Sequence, residues 1–368
     1  MILYSLILAV VSIYSYALVD PNITLFNHSV WETFRNFMVN LGYHNRGVSI
    51  IIYTLIIISL FVFHNIFLKH IKRRDPVRLG IVVTIILLLS YPFLSHDFFN
   101  YMFDARILTV HGQNPYLFKA LDFPNDQWLR FLQWTHRTYP YGPTFLPLTI
   151  IPSFLAFGKF SLSFVFFKIL ICGFYLSSIF FLNKLNKTWA IFFATHPLII
   201  IEGLINGHND LIAVSLALVG IYYLYEKRGV LSRVLLLASG GIKYITLPLV
   251  LLQTKDVTNK SGKKNESIFS SPRLTFIVLT VIVIYLSFTS EIQPWYFLNY
   301  FALLPFFYKT LHRSQIFFAG LLLSYYPYVY LGGWDSSEKI LLKHNIIIVF
   351  AVANIVYLII RNRLSLKE

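Results

Sequence analysis

Only 16 of 368 residues are acidic, so where the carboxylates sit is informative. A dense polar and aromatic stretch runs Ser95-His96-Asp97-Phe98-Phe99-Asn100-Tyr101-Met102-Phe103-Asp104-Ala105-Arg106, with Asn114, Tyr116 and Tyr141 further along. On a helix, Asp97, Tyr101 and Asp104 share a face at spacings of four and three. A carboxylate among aromatic rings at a membrane boundary is suited to taking a proton from a sugar hydroxyl. Capping the following helix is its ordinary alternative. Asp104 and Arg106 also read as a surface pair, since residues two apart do not share a helical face.

Three more constellations follow. Glu202 precedes Gly207-His208-Asn209-Asp210, a set suited to a hydroxylated ligand or a metal, with capping of the next helix by Asn209 or Asp210 as the alternative. No His-x-x-x-His spacing supports zinc. The carboxylates leave room for one divalent ion without requiring any cofactor. Lys243, after Gly240-Gly241-Ile242, suits a lipid phosphate as a point charge, or snorkels to the interface. Gln293, Trp295 and Tyr296 stand together as Gln-Pro-Trp-Tyr, where interfacial Trp and Tyr also serve as belt anchors.

The elements that must hold these residues are membrane helices. The chain is 57% apolar, 18% aromatic and 13% charged, against about 25% charged in soluble domains. Apolar runs near the roughly 20 residues needed to cross a bilayer recur throughout. The pattern predicts an all-α polytopic transmembrane bundle of about twelve spans. They fall near 1–19, 48–68, 78–95, 163–182, 188–204, 210–225, 231–242, 244–252, 274–290, 296–308, 314–331 and 344–360. Residues 1–19 lack a basic leader region and read as a retained span.

The basic cluster Lys69, Lys72, Arg73, Arg74 and Arg78 sets the cytoplasmic side. Alternation then puts both termini and the 253–273 loop inside, and all four polar constellations outside. A single span over 231–252 would break this alternation and leave Lys243 in lipid. Two short helices meeting at Lys243 resolve both problems, and broken helices are tolerated where they line a site. The same logic makes 143–158 a juxtamembrane or re-entrant segment and leaves one integral domain with a large external loop, about 95–162. The net charge of +15 sits in clusters between apolar runs, which anchors loops against anionic lipid and gives no nucleic-acid footprint. Cys172 is the single cysteine, which excludes a disulfide framework.

In order, Ser-His-Asp-Phe-Phe-Asn-Tyr (95–101), Gly-Gln-Asn-Pro-Tyr (112–116), Tyr-Gly-Pro (141–143), His-Pro-Leu (196–198), Gly-His-Asn-Asp (207–210), Gly-Gly-Ile-Lys (240–243) and Gln-Pro-Trp-Tyr (293–296) resemble the polyprenol-phosphate-mannose-dependent α-1,6-mannosyltransferases of the GT-C class. The resemblance covers roughly residues 90–300. His96 and His196 depart from the basic residue and the Asn that the family pattern has there. The resemblance implies a GT-C-like bundle with external juxtamembrane helices and a multi-pass enzyme of the cell membrane. It also implies a polyprenyl-phosphate-sugar donor and a glycan or glycolipid acceptor. Asp97 matches the base, and His208, Asn209, Asp210 and Lys243 match further elements of the family. Within this reading Lys243, with Arg106 as a second cation, faces the donor phosphate. Tyr101, Asp104, Asn114, Tyr116, Tyr141, Glu202, Gln293, Trp295 and Tyr296 complete the substrate-binding set. The rival class is a transporter or flippase for a lipid-linked sugar, which shares broken helices and an aromatic rim. A transporter needs polar access from both faces, whereas the polar residues here gather on one.

Overall fold

The computed structural model describes residues 1–254, 270–333 and 335–365, which are helical, with no strand among them. Most of the expected 253–273 loop lies outside the described residues. Among the described residues, four helices are long and apolar enough to cross a bilayer: Arg46–Lys69, Phe160–Leu185, Ser271–Thr289 and Ser337–Asn362. A fifth crossing arises if Lys187–Thr195 and Ile199–Ile205, bent 68° apart, form one broken span. Against the twelve spans expected, the other apolar runs are shorter helices, among them Ile2–Leu18, Pro76–Leu87, Asp210–Tyr225 and Gly229–Gly240. Length alone does not make each of these a crossing.

The short helices end where local chemistry stops them. We number α1 Ile2–Tyr14, α2 Ser29–Val39, α3 Arg46–Lys69, α4 Pro76–Leu87, α5 Asp97–Thr109, α6 Phe145–Leu155, α7 Phe160–Leu185, α8 Lys187–Thr195, α9 Asp210–Tyr225 and α10 Gly229–Gly240. Asp75 caps α4 through the Val77 and Arg78 N–H groups, with Pro76 in its first turn, where proline's missing N–H costs nothing. Asn186 caps α8 in the same way. After α8, proline at 197 introduces a π-helical turn, Ile199–Ile205, and Gly207 adopts φ +71° before α9 begins. A left-handed residue there is the ordinary province of glycine.

Near Lys243, α10 stops at Gly240, Lys243 is extended, and a 3-10 segment follows over Tyr244–Leu251. The break is also a packing site. The Thr144 N–H donates to the Gly241 carbonyl, and a Cβ on Gly142 would stand 2.2 Å from that oxygen. The Tyr-Gly-Pro and Gly-Gly-Ile-Lys motifs are therefore joined backbone to backbone, which only glycine permits. In the core, α9 packs between α7 and α10, while α5 lies on α6. This brings the starts of α5 and α9 together at one end of the bundle.

Candidate active site

A cavity of about 650 Å³ opens at that end, lined by residues that include Asp97, Trp134, Arg137, Tyr141, Lys243 and Trp295. Asp97 stands in the first turn of α5, but its carboxylate does not cap the helix. Its Oδ1 accepts from Trp134 Nε1 at 3.1 Å, and its Oδ2 lies 3.8 Å from His208 Nδ1. The side chain keeps 17% of its surface exposed toward the cavity. An exposed carboxylate oxygen beside a void can reach a hydroxyl entering it.

Behind Asp97 lies a buried layer. His208 and Glu202 are fully buried, with His208 Nε2 3.4 Å from Glu202 Oε2. Asn206 Nδ2 donates to the same Glu202 oxygen at 2.9 Å. The His208 ring stacks on Trp295, centroids 4.2 Å apart and planes 20° apart. The imidazole is thus held flat, with one nitrogen toward each carboxylate. Asp210 does not act as a cap either. Its Oδ2 pairs with Lys243 Nζ at 2.9 Å, and its Oδ1 accepts from Asn299 Nδ2 at 2.8 Å. Tyr101 donates to Asn209 Oδ1. Among the described residues, no three His, Cys, Asp or Glu side chains converge to hold a metal.

Asp104 apart, the residues singled out from sequence divide into three groups. Asp97, Tyr141, Lys243, Gln293, Trp295 and Tyr296 line the cavity. Tyr101, Glu202, His208, Asn209 and Asp210 are buried behind it. Arg106, Asn114 and Tyr116 lie elsewhere. Asn114 accepts from the Tyr116 N–H in a local turn, and Tyr116 reaches the cavity wall only through edge contacts to Tyr139 and then Tyr141. Burial raises the Tyr141 hydroxyl well above its ordinary value, with Asp97 and Asp104 adding to the effect, so it remains a neutral donor.

Arg106 lines a second cavity, of about 630 Å³, with His111, Asp126 and Trp128. Its Nε lies 2.7 Å from Asp126 Oδ2, which also contacts His111 Nε2 at 2.8 Å, and the guanidinium covers Trp128. Burial pushes the Asp126 carboxyl up, but the Trp128 N–H, Arg106 and His111 together hold it below the ordinary range. Arg106 therefore has a structural duty away from the main cavity. Arg106→Leu is expected to destabilise the protein by about 1–3 kcal/mol, because the buried carboxylate loses a charged donor. Any turnover per folded molecule should stay near wild type; thermal unfolding beside an activity assay checks both.

Arg137 and Trp134 were missed at sequence level. They line the main cavity, and Arg137 lies over the Trp134 ring, 5.0 Å from its centroid. Trp134-Thr-His-Arg137 has the aromatic and basic interleaving of an anion or sugar contact, so a signal existed. Tyr325 and Tyr328 also line the cavity, from a C-terminal half that carried no such signal.

Asp104 shares the α5 face but is only partly buried. Burial raises its carboxyl to about 7, Arg137 opposes and Asp97 reinforces. Its folded value exceeds its unfolded one, so the fold loses stability as pH rises from about 4 through 7. Asp104→Asn should therefore raise the midpoint of thermal unfolding in detergent by a few degrees at pH 8 and hardly at all at pH 4, reflecting at most about 4 kcal/mol, which solvent screening at a partly exposed group lowers. A pH-independent difference would refute the assignment.

In a comparison with protein families, residues 2–254 match the family described as Alpha-(1->6)-mannopyranosyltransferase, N-terminal domain. The match includes Asp97, Arg137, His208 and Lys243. No curated protein and no solved structure matches the chain.

Proposed function

The chain belongs to the alpha-(1->6)-mannopyranosyltransferase family, which makes it a glycosyltransferase, and on that premise we propose the reaction its main cavity carries out. Mannose moves from a polyprenyl-phosphate-mannose donor to a hydroxyl of a glycan or glycolipid acceptor at the outer membrane face. The observation that supports this reading is one cavity lined at once by a carboxylate, Asp97, and two cations, Lys243 and Arg137.

Asp97 removes the proton as the acceptor oxygen attacks the anomeric carbon from the side opposite the phosphate. The bond from that carbon to the phosphate oxygen breaks, and its electron pair leaves on the phosphate. The leaving lipid phosphate gains one negative charge, which Lys243 and Arg137 stabilise in a partly dry site. Arg137 thus takes the role first assigned to Arg106. A single displacement inverts configuration, so a β-linked donor gives an α-linked product. Tyr141, Trp295 and Tyr296 offer ring faces and hydroxyls to the sugars.

The same reading keeps a single integral domain with both termini cytoplasmic and the 95–162 loop outside. Counting Gly229–Gly240 and Tyr244–Leu251 as separate passes, and Lys187–Thr195 with its π continuation Ile199–Ile205 as one, retains about twelve passes.

The test uses purified protein in vesicles, supplied with radiolabelled polyprenyl-phosphate-mannose and crude acceptor lipids. Label should appear in an α-linked product. Donor crossing between leaflets with no product would favour the transporter class. Transfer from a nucleotide sugar without the lipid phosphate would overturn the donor assignment.

A further inference from the structure

α7 carries a lysine two turns inside a 26-residue apolar helix. Lys168 is fully buried, does not line the main cavity, and has no part in the chemistry above. A cation at membrane depth is costly and marks function when its partners are unusual. Here the partners are acceptors. Nζ donates to the Leu204 carbonyl at 2.8 Å, the Ile205 carbonyl at 2.6 Å and Ser90 Oγ at 3.4 Å. Three acceptors match the three N–H bonds of an ammonium.

The two carbonyls end the Ile199–Ile205 π-turn, where the last carbonyls lack intrahelical donors and a cation favours the helix terminus. The chain then passes through Asn206 and left-handed Gly207 to His208. Asn206 ties in both directions: its Nδ2 holds Glu202, and its Oδ1 accepts the Leu94 N–H from the stretch of chain leading to Asp97. On its other side Lys168 faces the Phe98 ring, 5.4 Å from the centroid. Phe98 follows Asp97 directly and packs so closely on Gly207 that a Cβ there would stand 2.6 Å from it. The ammonium therefore sits in the joint between the segment that carries Asp97 and the turn that carries His208.

Resting on the reading of Asp97 as the base, we propose that Lys168 is a positioning residue for catalysis. By closing the carbonyl end of the π-turn and holding Phe98, it sets the spacing of His208 to Asp97 and so the direction of the Asp97 carboxylate. It touches neither donor nor acceptor, so its loss should misdirect the base without removing a binding contact.

The test compares Lys168→Met and Lys168→Gln with wild type and Asp97→Asn, all purified and matched for folded protein by size exclusion and thermal unfolding. Lys168→Met should lower kcat by about 30- to 100-fold, the scale of a misplacement near 1 Å, with donor KM changed less than about threefold. Lys168→Gln, which keeps one donor for a carbonyl, should recover about tenfold of that loss. Wild-type kcat in Lys168→Met would overturn the proposal. So would a loss shared between kcat and KM without recovery in Lys168→Gln, or misfolding of both variants, which would assign Lys168 to the fold alone. Asp97→Asn separates the two claims. Turnover by Asp97→Asn defeats the base assignment, whereas an inactive Asp97→Asn beside a normal Lys168→Met defeats only this inference.

Discussion

Asp97→Asn is expected to reduce turnover by about 10²- to 10⁴-fold, the range supplied by a positioned general base. The amide keeps the size of the carboxylate and can still accept from Trp134 Nε1 through its oxygen, so the first turn of α5 should stand. The amide cannot accept the acceptor proton at any useful rate. Donor KM should stay within a few-fold of wild type, because the phosphate faces Lys243 and Arg137 in the proposed mechanism. Steady-state kinetics in detergent with matched folded protein measure this. Retention of more than a few per cent of wild-type kcat would remove Asp97 from the base role.

Lys243 should show the second large effect, and two consequences must be separated. Its ammonium faces the leaving phosphate in the proposed mechanism, and removing such a group costs about 10²- to 10³-fold in kcat. It also pairs with Asp210, whose side chain is 1% exposed, and stripping the partner from a buried charge costs about 3–5 kcal/mol. Lys243→Met alone should therefore lower both turnover and stability. The double variant Lys243→Met/Asp210→Asn removes the stranded charge, and the oxygen of the new amide can still accept from Asn299, as the Asp210 carboxylate does at 2.8 Å. Its thermal midpoint should return toward wild type while kcat stays low. Recovery of kcat together with stability would show that Lys243 serves only as the counter-ion of Asp210.

The capping alternatives illustrate how far local pattern reaches. Asp97 and Asp210 both stand in the first turn of a helix, where a carboxylate ordinarily serves the backbone N–H groups. The spacing is the same for a cap and for a site residue, and only long-range partners separate them. Trp134 is 37 residues from Asp97 in sequence, and Asn299 is 89 from Asp210. No local window contains those pairs. The same holds for the two arginines. Arg106 and Arg137 both follow Asp97 in the 95–162 stretch, and their side chains are chemically equivalent. The fold turns one onto Asp126 and Trp128 and the other into the main cavity.

By itself the sequence determined that this is a helical membrane protein, because hydrocarbon thickness and unsatisfied backbone groups admit few other solutions for so apolar a chain. It also determined two of the breaks, since Gly207 and Gly240-Gly241 act on the backbone locally, whereas the bend after Pro197 falls inside the expected 188–204 span, and it brought Asp97, His208 and Lys243 forward as candidates by residue type and order. Only the tertiary structure decided what those residues meet. Helix crossing set His208 between Asp97 and Glu202, placed Lys168 under the same turn, and carried Tyr325 from the C-terminal half to the cavity wall. Periodicity reports which face of a helix is apolar, but not which neighbour it meets or at what angle. That choice belongs to side-chain packing summed over the whole bundle.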